Sequence, residues 1–214
     1  MTIFFALLAF IIFIYSIIIH EMAHGWVADR LGDPTARISG RLTLNPLSHI
    51  DPLMSILLPL FLLVSGSPII IGAAKPVPID PYNLRNPRKE MGLIGFAGPF
   101  SNLLLALSFS LLARVSLVFF PQPELLQLLA NVSIINIVLA VFNLIPVPPL
   151  DGGRVLTAIL PRRHAQALAS IESFGIFIVL FLLLFPNPLF SLQSVLFRIT
   201  TSIFSLVFPA FPLT

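Results

Sequence analysis

From Ile3 to Ile19 the sequence contains nothing more polar than Tyr15 and Ser16. No other feature constrains the fold so tightly. Extended to Val27, the run exceeds the roughly 20 residues a helix needs to cross a bilayer. In hydrocarbon only a helix or a closed barrel can satisfy its own backbone. A secretory signal is a poor match, because no basic segment precedes the run and no small-residue cleavage site follows it. The reading is a retained spanning helix over about residues 2–27, with Trp26 at the interface.

The rest of the chain agrees with a membrane setting. Of 214 residues, 57% are hydrophobic and 10% charged, whereas a soluble domain carries about 25% charged residues. The absence of cysteine excludes disulfides and thiolate metal sites. The net charge of +3 comes from scattered Lys and Arg with no interleaved aromatics, which suits cytoplasmic loops and not a nucleic-acid groove.

Further spans are expected at about 91–120, 125–145, 165–185 and 189–208, separated by "PQPE" (121–124), "PVPPLDGGR" (146–154) and "PRRH" (161–164). The segment 53–65 is apolar but short, and Pro59 interrupts it. Arg30, Arg37 and Arg41 precede it, and Lys75, Arg85, Arg88 and Lys89 follow. A crossing there would make both membrane faces basic, against the positive-inside rule, so a re-entrant segment is expected. The fold class is an all-α polytopic membrane protein with about five transmembrane helices, a re-entrant segment and a short β element. The N-terminus is expected outside and the C-terminus inside. The chain reads as one integral-membrane domain, 1–214, with a core at about 3–160 and C-terminal helices at 165–208.

The β element is "PIIIGAAKPVPI" (68–79), a β-branched run leading to prolines two apart. Proline in a strand is tolerated on an edge, and an edge can pair with an extended peptide. That makes Ile70, Ile71, Gly72 and Ala73 candidate substrate-binding residues. The alternative is a rigid proline-rich connector.

The chemistry is concentrated in "HEMAH" (20–24). His20 and His24 lie four residues apart, on one helix face, where they can share a metal ion. Glu21 sits beside that face and can serve a general base without being a ligand. Ionisable groups within a span are costly and mark function by default. A third ligand is required, and His49, Asp51, Asp151 and His164 are the candidates. Asp151 is favoured because helix 125–145 unravels at the prolines just before it, at the depth of the histidines. His49 is a candidate for supporting the ligands from behind. Asn143, inside an apolar helix, either bonds a neighbouring helix or donates to the developing oxyanion of an attacked carbonyl. Gly98, Ser101 and Asn102 read as small and polar residues for close helix packing.

Taken together, "HEMAH", "GPFSN" (98–102), "NLIPVPPLDGG" (143–153) and the stretch "AKPVPID…NLRNPRK" resemble the site-2 protease family of intramembrane zinc metalloproteases, over about residues 10–160. The resemblance implies one zinc ion per chain held by His20, His24 and Asp151, with Glu21 as base and Asn143 as oxyanion helper. It implies hydrolysis of peptide bonds in or near the transmembrane segments of single-span membrane proteins. It also implies a multi-pass protein of a prokaryotic inner or plasma membrane with its site toward the cytoplasm, a minimal core with neither PDZ nor CBS module. Two alternatives are a metal transporter, whose ligands would be spread across the spans, and a catalytically silent binding homologue, which would lack Glu21 or a ligand.

Overall fold

The computed structural model describes residues 3–66, 74–184 and 191–208, and among these there are helices and loops but no strand. The helices are α1 (Ile3–Leu31), α2 (Thr35–Ile38), α3 (Leu58–Val64), α4 (Pro87–Phe119), α5 (Pro123–Asn143), α6 (Asp151–Ile159), α7 (Arg162–Ser170), α8 (Glu172–Leu184) and α9 (Leu192–Val207). Three of them, α1, α4 and α5, are long and apolar enough to cross a membrane. At 1.5 Å per residue they run for about 44, 50 and 32 Å, against a hydrocarbon layer of about 30 Å. The ends of α1 and α4 therefore project beyond it.

Helix α4 is the centre of the bundle and packs on α1, α5, α6 and α9. Buried polar groups pair between these helices: the Asn136 amide donates to Ser16 Oγ at 3.0 Å, and Ser110 and Ser133 meet hydroxyl to hydroxyl at 3.0 Å. Such pairs fix how the helices face each other where hydrophobicity gives no preference.

Glycine sets where α1 stops. Gly32 has φ +112°, a conformation that other residues adopt only with strain. The Asp33 N–H then reaches back to the Ala28 carbonyl at 2.9 Å, closing a Schellman cap. The Asp33 side chain, fully buried, gathers donors from two loops: the backbone and hydroxyl of Thr35, the Asp80 N–H at 2.8 Å, and the Asn83 amide at 2.9 Å. Residues 33–35 and 80–83 are thereby tied together.

The same tie holds around the short apolar segment. A π-helical turn, Pro52–Leu57, leads into α3. On its far side the Lys75 N–H donates to the His49 carbonyl at 2.9 Å, and the Arg41 guanidinium donates to the carbonyl of Pro76 at 3.1 Å. The chain thus returns to the place it left. Residues 74–80 form neither helix nor ladder, and prolines at 76 and 78 favour extended backbone there. The expected strand is not present in that described part, because Pro76 and Pro78 have no N–H to give. Residues 68–73, with Ile70, Ile71, Gly72 and Ala73, lie outside the described residues.

In the C-terminal third, where a pair of crossings is expected, the first region is not one straight helix. The 165–185 region breaks into α7 and α8, bent by 54°. Gly175 at the start of α8 abuts the Pro148 carbonyl, while Leu182 and Leu183 at its end pack against the cluster of Ile145, Val179 and Leu192. The start of α8 therefore lies beside the connection that follows α5. Helix α9 starts there, with Leu192 in the same cluster, and ends with Phe208 against Leu126 and Leu129. It runs antiparallel to α5 and places Phe208 at the end of the bundle opposite the basic loops. Alone, the 13 residues of α8 cover about 20 Å; together with α7 they are apolar and long enough for one broken span or a re-entrant loop.

Candidate metal centre

Helix α1 presents Ser16, His20, His24 and Ala28 as a buried stripe with a four-residue period, as one helix face demands. Against that stripe α4 brings Gly98, and α6 brings Asp151 at its first position. His20 Nε2 lies 3.1 Å from His24 Nε2 and 3.1 Å from Asp151 Oδ2, and His24 Nε2 lies 3.2 Å from the same oxygen. All three residues are buried. Among the described residues they are the one group of His, Asp or Glu close enough to share an ion.

The remaining nitrogens show how these donors are aimed. His24 Nδ1 donates to the Ile94 carbonyl at 2.6 Å, and His20 Nδ1 donates to Asn102 Oδ1 at 3.1 Å. With Nδ1 protonated, Nε2 of each ring is the lone-pair nitrogen, and both lone pairs face Asp151. The Ile94 carbonyl is reached in the turn before Pro99, which lacks an N–H and leaves the α4 ladder open at Gly95.

Three glycines of α4, at 92, 95 and 98, make the approach possible. Gly92 faces Ala158, and Gly95 faces Arg154 and the Asp151 carbonyl, so α6 lies close along α4. A Cβ on Gly98 would overlap Nε2 of both histidines. The sequence reading of Gly98 and Asn102 as residues of close helix packing is extended: Gly98 also clears the space in front of the two nitrogens, and Asn102 orients one of the rings. The signal for Asn102 was an amide within an apolar helix, which needs a polar partner.

Does a metal fit? Bonds of about 2.0–2.1 Å in a tetrahedral zinc site put neighbouring ligand atoms roughly 3.3–3.4 Å apart. The observed triangle, with sides of 3.1–3.2 Å, is within a few tenths of that. Two imidazole nitrogens and one carboxylate form a usual zinc donor set. Arg154 lies 3.8 Å from Asp151 Oδ1, on the side away from the rings.

The other expected residues fall in varied places. Glu21, half-buried, accepts the Val77 N–H on Oε2 at 3.0 Å. Asn143 closes α5, and its amide donates to its own helix at the Leu139 carbonyl, 2.9 Å away. His49 is buried, bonds the Thr43 carbonyl through Nε2, and stands apart from the donor triangle. Asp51 accepts the Leu53 N–H at the start of the π-helical turn, and His164 is exposed on α7.

Comparison with known proteins places this geometry. Residues 120–186 match the model of peptidase family M50. The chain is 38% identical over 188 residues to "Putative zinc metalloprotease YwhC" of Bacillus subtilis, covering 82% of this chain and 78% of that one. It is 33% identical over 173 residues to "Putative zinc metalloprotease Rip2" of Mycobacterium tuberculosis, covering 80% of this chain and 64% of the relative. It is also 30% identical over 199 residues to "Zinc metalloprotease MJ0392" of Methanocaldococcus jannaschii, covering 90% and 48%. No solved structure matches. With the extent of these similarities, apolar helices of membrane-crossing length and two histidines meeting an aspartate, the chain belongs to peptidase family M50, the site-2 protease family.

Proposed function

We propose that the protein is an intramembrane zinc endopeptidase that hydrolyses peptide bonds in or near the transmembrane segments of single-span membrane proteins. The observation that carries the reading is the buried triangle of His20, His24 and Asp151, with both rings held by their far nitrogens and Glu21 next in sequence to a ligand. One zinc ion per chain would be held by these three residues. A zinc ion there supplies Lewis acidity toward water and the scissile carbonyl.

The chain's own groups do the rest. Glu21 takes the proton from the attacking water on a carboxylate oxygen and passes it to the leaving amine. Ile94 and Asn102 keep the imidazoles from turning. Asn143 stabilises the oxyanion once its amide leaves the Leu139 carbonyl. A substrate helix must unwind first, because its carbonyls are otherwise paired within it. Residues 68–73, continuous with the extended 74–80 segment, are where the unwound peptide would lie.

We place the site toward the cytoplasm of a plasma membrane. The basic residues of the loops, from Arg37 to Lys89 and again at Arg162 and Arg163, lie at the end of the bundle where α1 finishes and α6 begins. The bond between Lys75 and His49 supports a re-entrant course for 50–74. The whole chain acts as one membrane domain.

The test is metal analysis and cleavage of a fluorogenic single-span substrate by the purified protein in lipid. The expected result is one zinc per chain and hydrolysis abolished by chelation and by Glu21→Gln, with zinc retained in that variant. Turnover by Glu21→Gln, or zinc content unchanged in Asp151→Ala, would overturn the assignment.

A further inference from the structure

The stretch Pro76–Val77–Pro78 contains a single backbone N–H, at Val77, since neither proline has one. That N–H is spent on a side chain: it donates to Glu21 Oε2 at 3.0 Å. The strap carrying it is fixed at every neighbouring point. Lys75 N–H is bonded to the His49 carbonyl at 2.9 Å. The Arg41 guanidinium, itself buried, holds the Pro76 carbonyl at 3.1 Å and reaches that of Lys75 at 3.5 Å. Asp80 N–H is bonded to Asp33 at 2.8 Å. The Val77 side chain is buried against α1 at Gly25, one turn beyond Glu21, where even a Cβ would crowd it.

This arrangement answers a problem posed by the helix. Consecutive residues are about 100° apart around its axis, so Glu21 does not share the face on which His20 and His24 converge. A carboxylate on a free side chain there has several rotamers, most of them turned away from the ligands. Among the described residues no other group bonds Glu21. From these observations we infer that the main chain at Val77 positions the Glu21 carboxylate: it fixes Oε2 and leaves Oε1 to accept the proton. Val77 thus acts through Glu21 and not on the substrate. The prolines on either side have a purpose in this scheme. They keep the strap extended and leave it with one donor, which cannot be diverted by sliding one residue along. The inference rests on the reading of Glu21 as the base.

The experiment compares Val77→Pro, which removes the N–H while keeping an extended backbone, with Val77→Ala, which keeps the N–H and removes most of the side chain. Zinc per chain is measured together with kcat and KM on one fluorogenic single-span substrate. Val77→Pro should keep its zinc and its KM and lose about 10- to 100-fold in kcat, part of what a general base contributes. Val77→Ala should recover most of that loss. Equal losses in the two variants would assign the effect to packing and overturn the inference, as would an undiminished kcat in Val77→Pro. Should Val77→Pro lose zinc, the α-hydroxy acid analogue of valine at position 77 makes the same comparison, replacing only the N–H by oxygen. Glu21→Gln in parallel separates the two levels. If it turns substrate over, the base assignment fails; if it is inactive while the position 77 variants are not, only the positioning role fails.

Discussion

Gly98 has a hydrogen where any other residue would put a carbon against two imidazole nitrogens. Neither ring can retreat, because His24 is tied to the Ile94 carbonyl and His20 to Asn102. Gly98→Ala should therefore leave the helical circular dichroism intact and strip the protein of zinc, which metal analysis of the purified variant would show. A zinc content equal to that of the parent would mean that the rings can be displaced. Asn102 lends itself to a graded version. Asn102→Leu removes the acceptor of the His20 Nδ1–H and should weaken zinc about 10- to 100-fold in chelator competition, whereas Asn102→Asp keeps an acceptor and should bind nearly as well. The proximity of the two imidazoles was legible in the sequence, because a four-residue spacing puts His20 and His24 on one face whatever surrounds them. Gly98 and Asn102 were not, since their roles depend on which face of α4 meets α1. The expected support from His49 is not seen beside the triangle.

Between elements, the loops of the site end are joined through Asp33. Burial alone would raise the Asp33 pKa, but donors from Thr35, Asn83 and the Asp80 main chain reverse this and hold it below the ordinary value. A carboxylate with a depressed folded pKa contributes stability above its unfolded pKa of about 4, and the contribution is lost as pH falls through the folded value. Thermal stability in detergent should be level above about pH 5 and fall below about pH 4. Asp33→Asn should lower the plateau and flatten the acid decline; a decline of unchanged size would assign it to other carboxylates. None of this hub was visible beforehand, for Asp33 and Asp80 are 47 residues apart. The re-entrant course of 50–74 was argued from charge on both flanks, and the Lys75–His49 bond brings the two flanks of that segment together. The strand at 68–79 was over-read in its described part: β-branched residues and prolines specify an extended chain, but a strand also needs a partner.

At the scale of the whole molecule, apolar length did not reveal the 54° bend between α7 and α8. Just past that bend Gly175 meets Pro148, a contact that no local pattern encodes. The chain has no cysteine, so single cysteines can report sidedness directly. Cysteines at Gly40 and Asn86 should label together with an impermeant maleimide, and those at Gln122 and Val207 together from the other face. Labelling of Val207 with Gly40 would mean that α8 crosses. The donor triangle has a further consequence for a chain without disulfides. Its members come from α1 and α6, with His20 and Asp151 separated by 131 residues. An ion shared between them is a removable cross-link, closing one of the longest loops this chain could close. Such a closure draws its strength from mass action: a ligand at a thousand times its Kd adds about 4 kcal/mol to the folded state. Chelation should then lower the melting temperature of the inactive Glu21→Gln protein as much as that of the parent, and expose the 144–150 connection to protease. The ion would be a structural clasp as well as the agent of the chemistry.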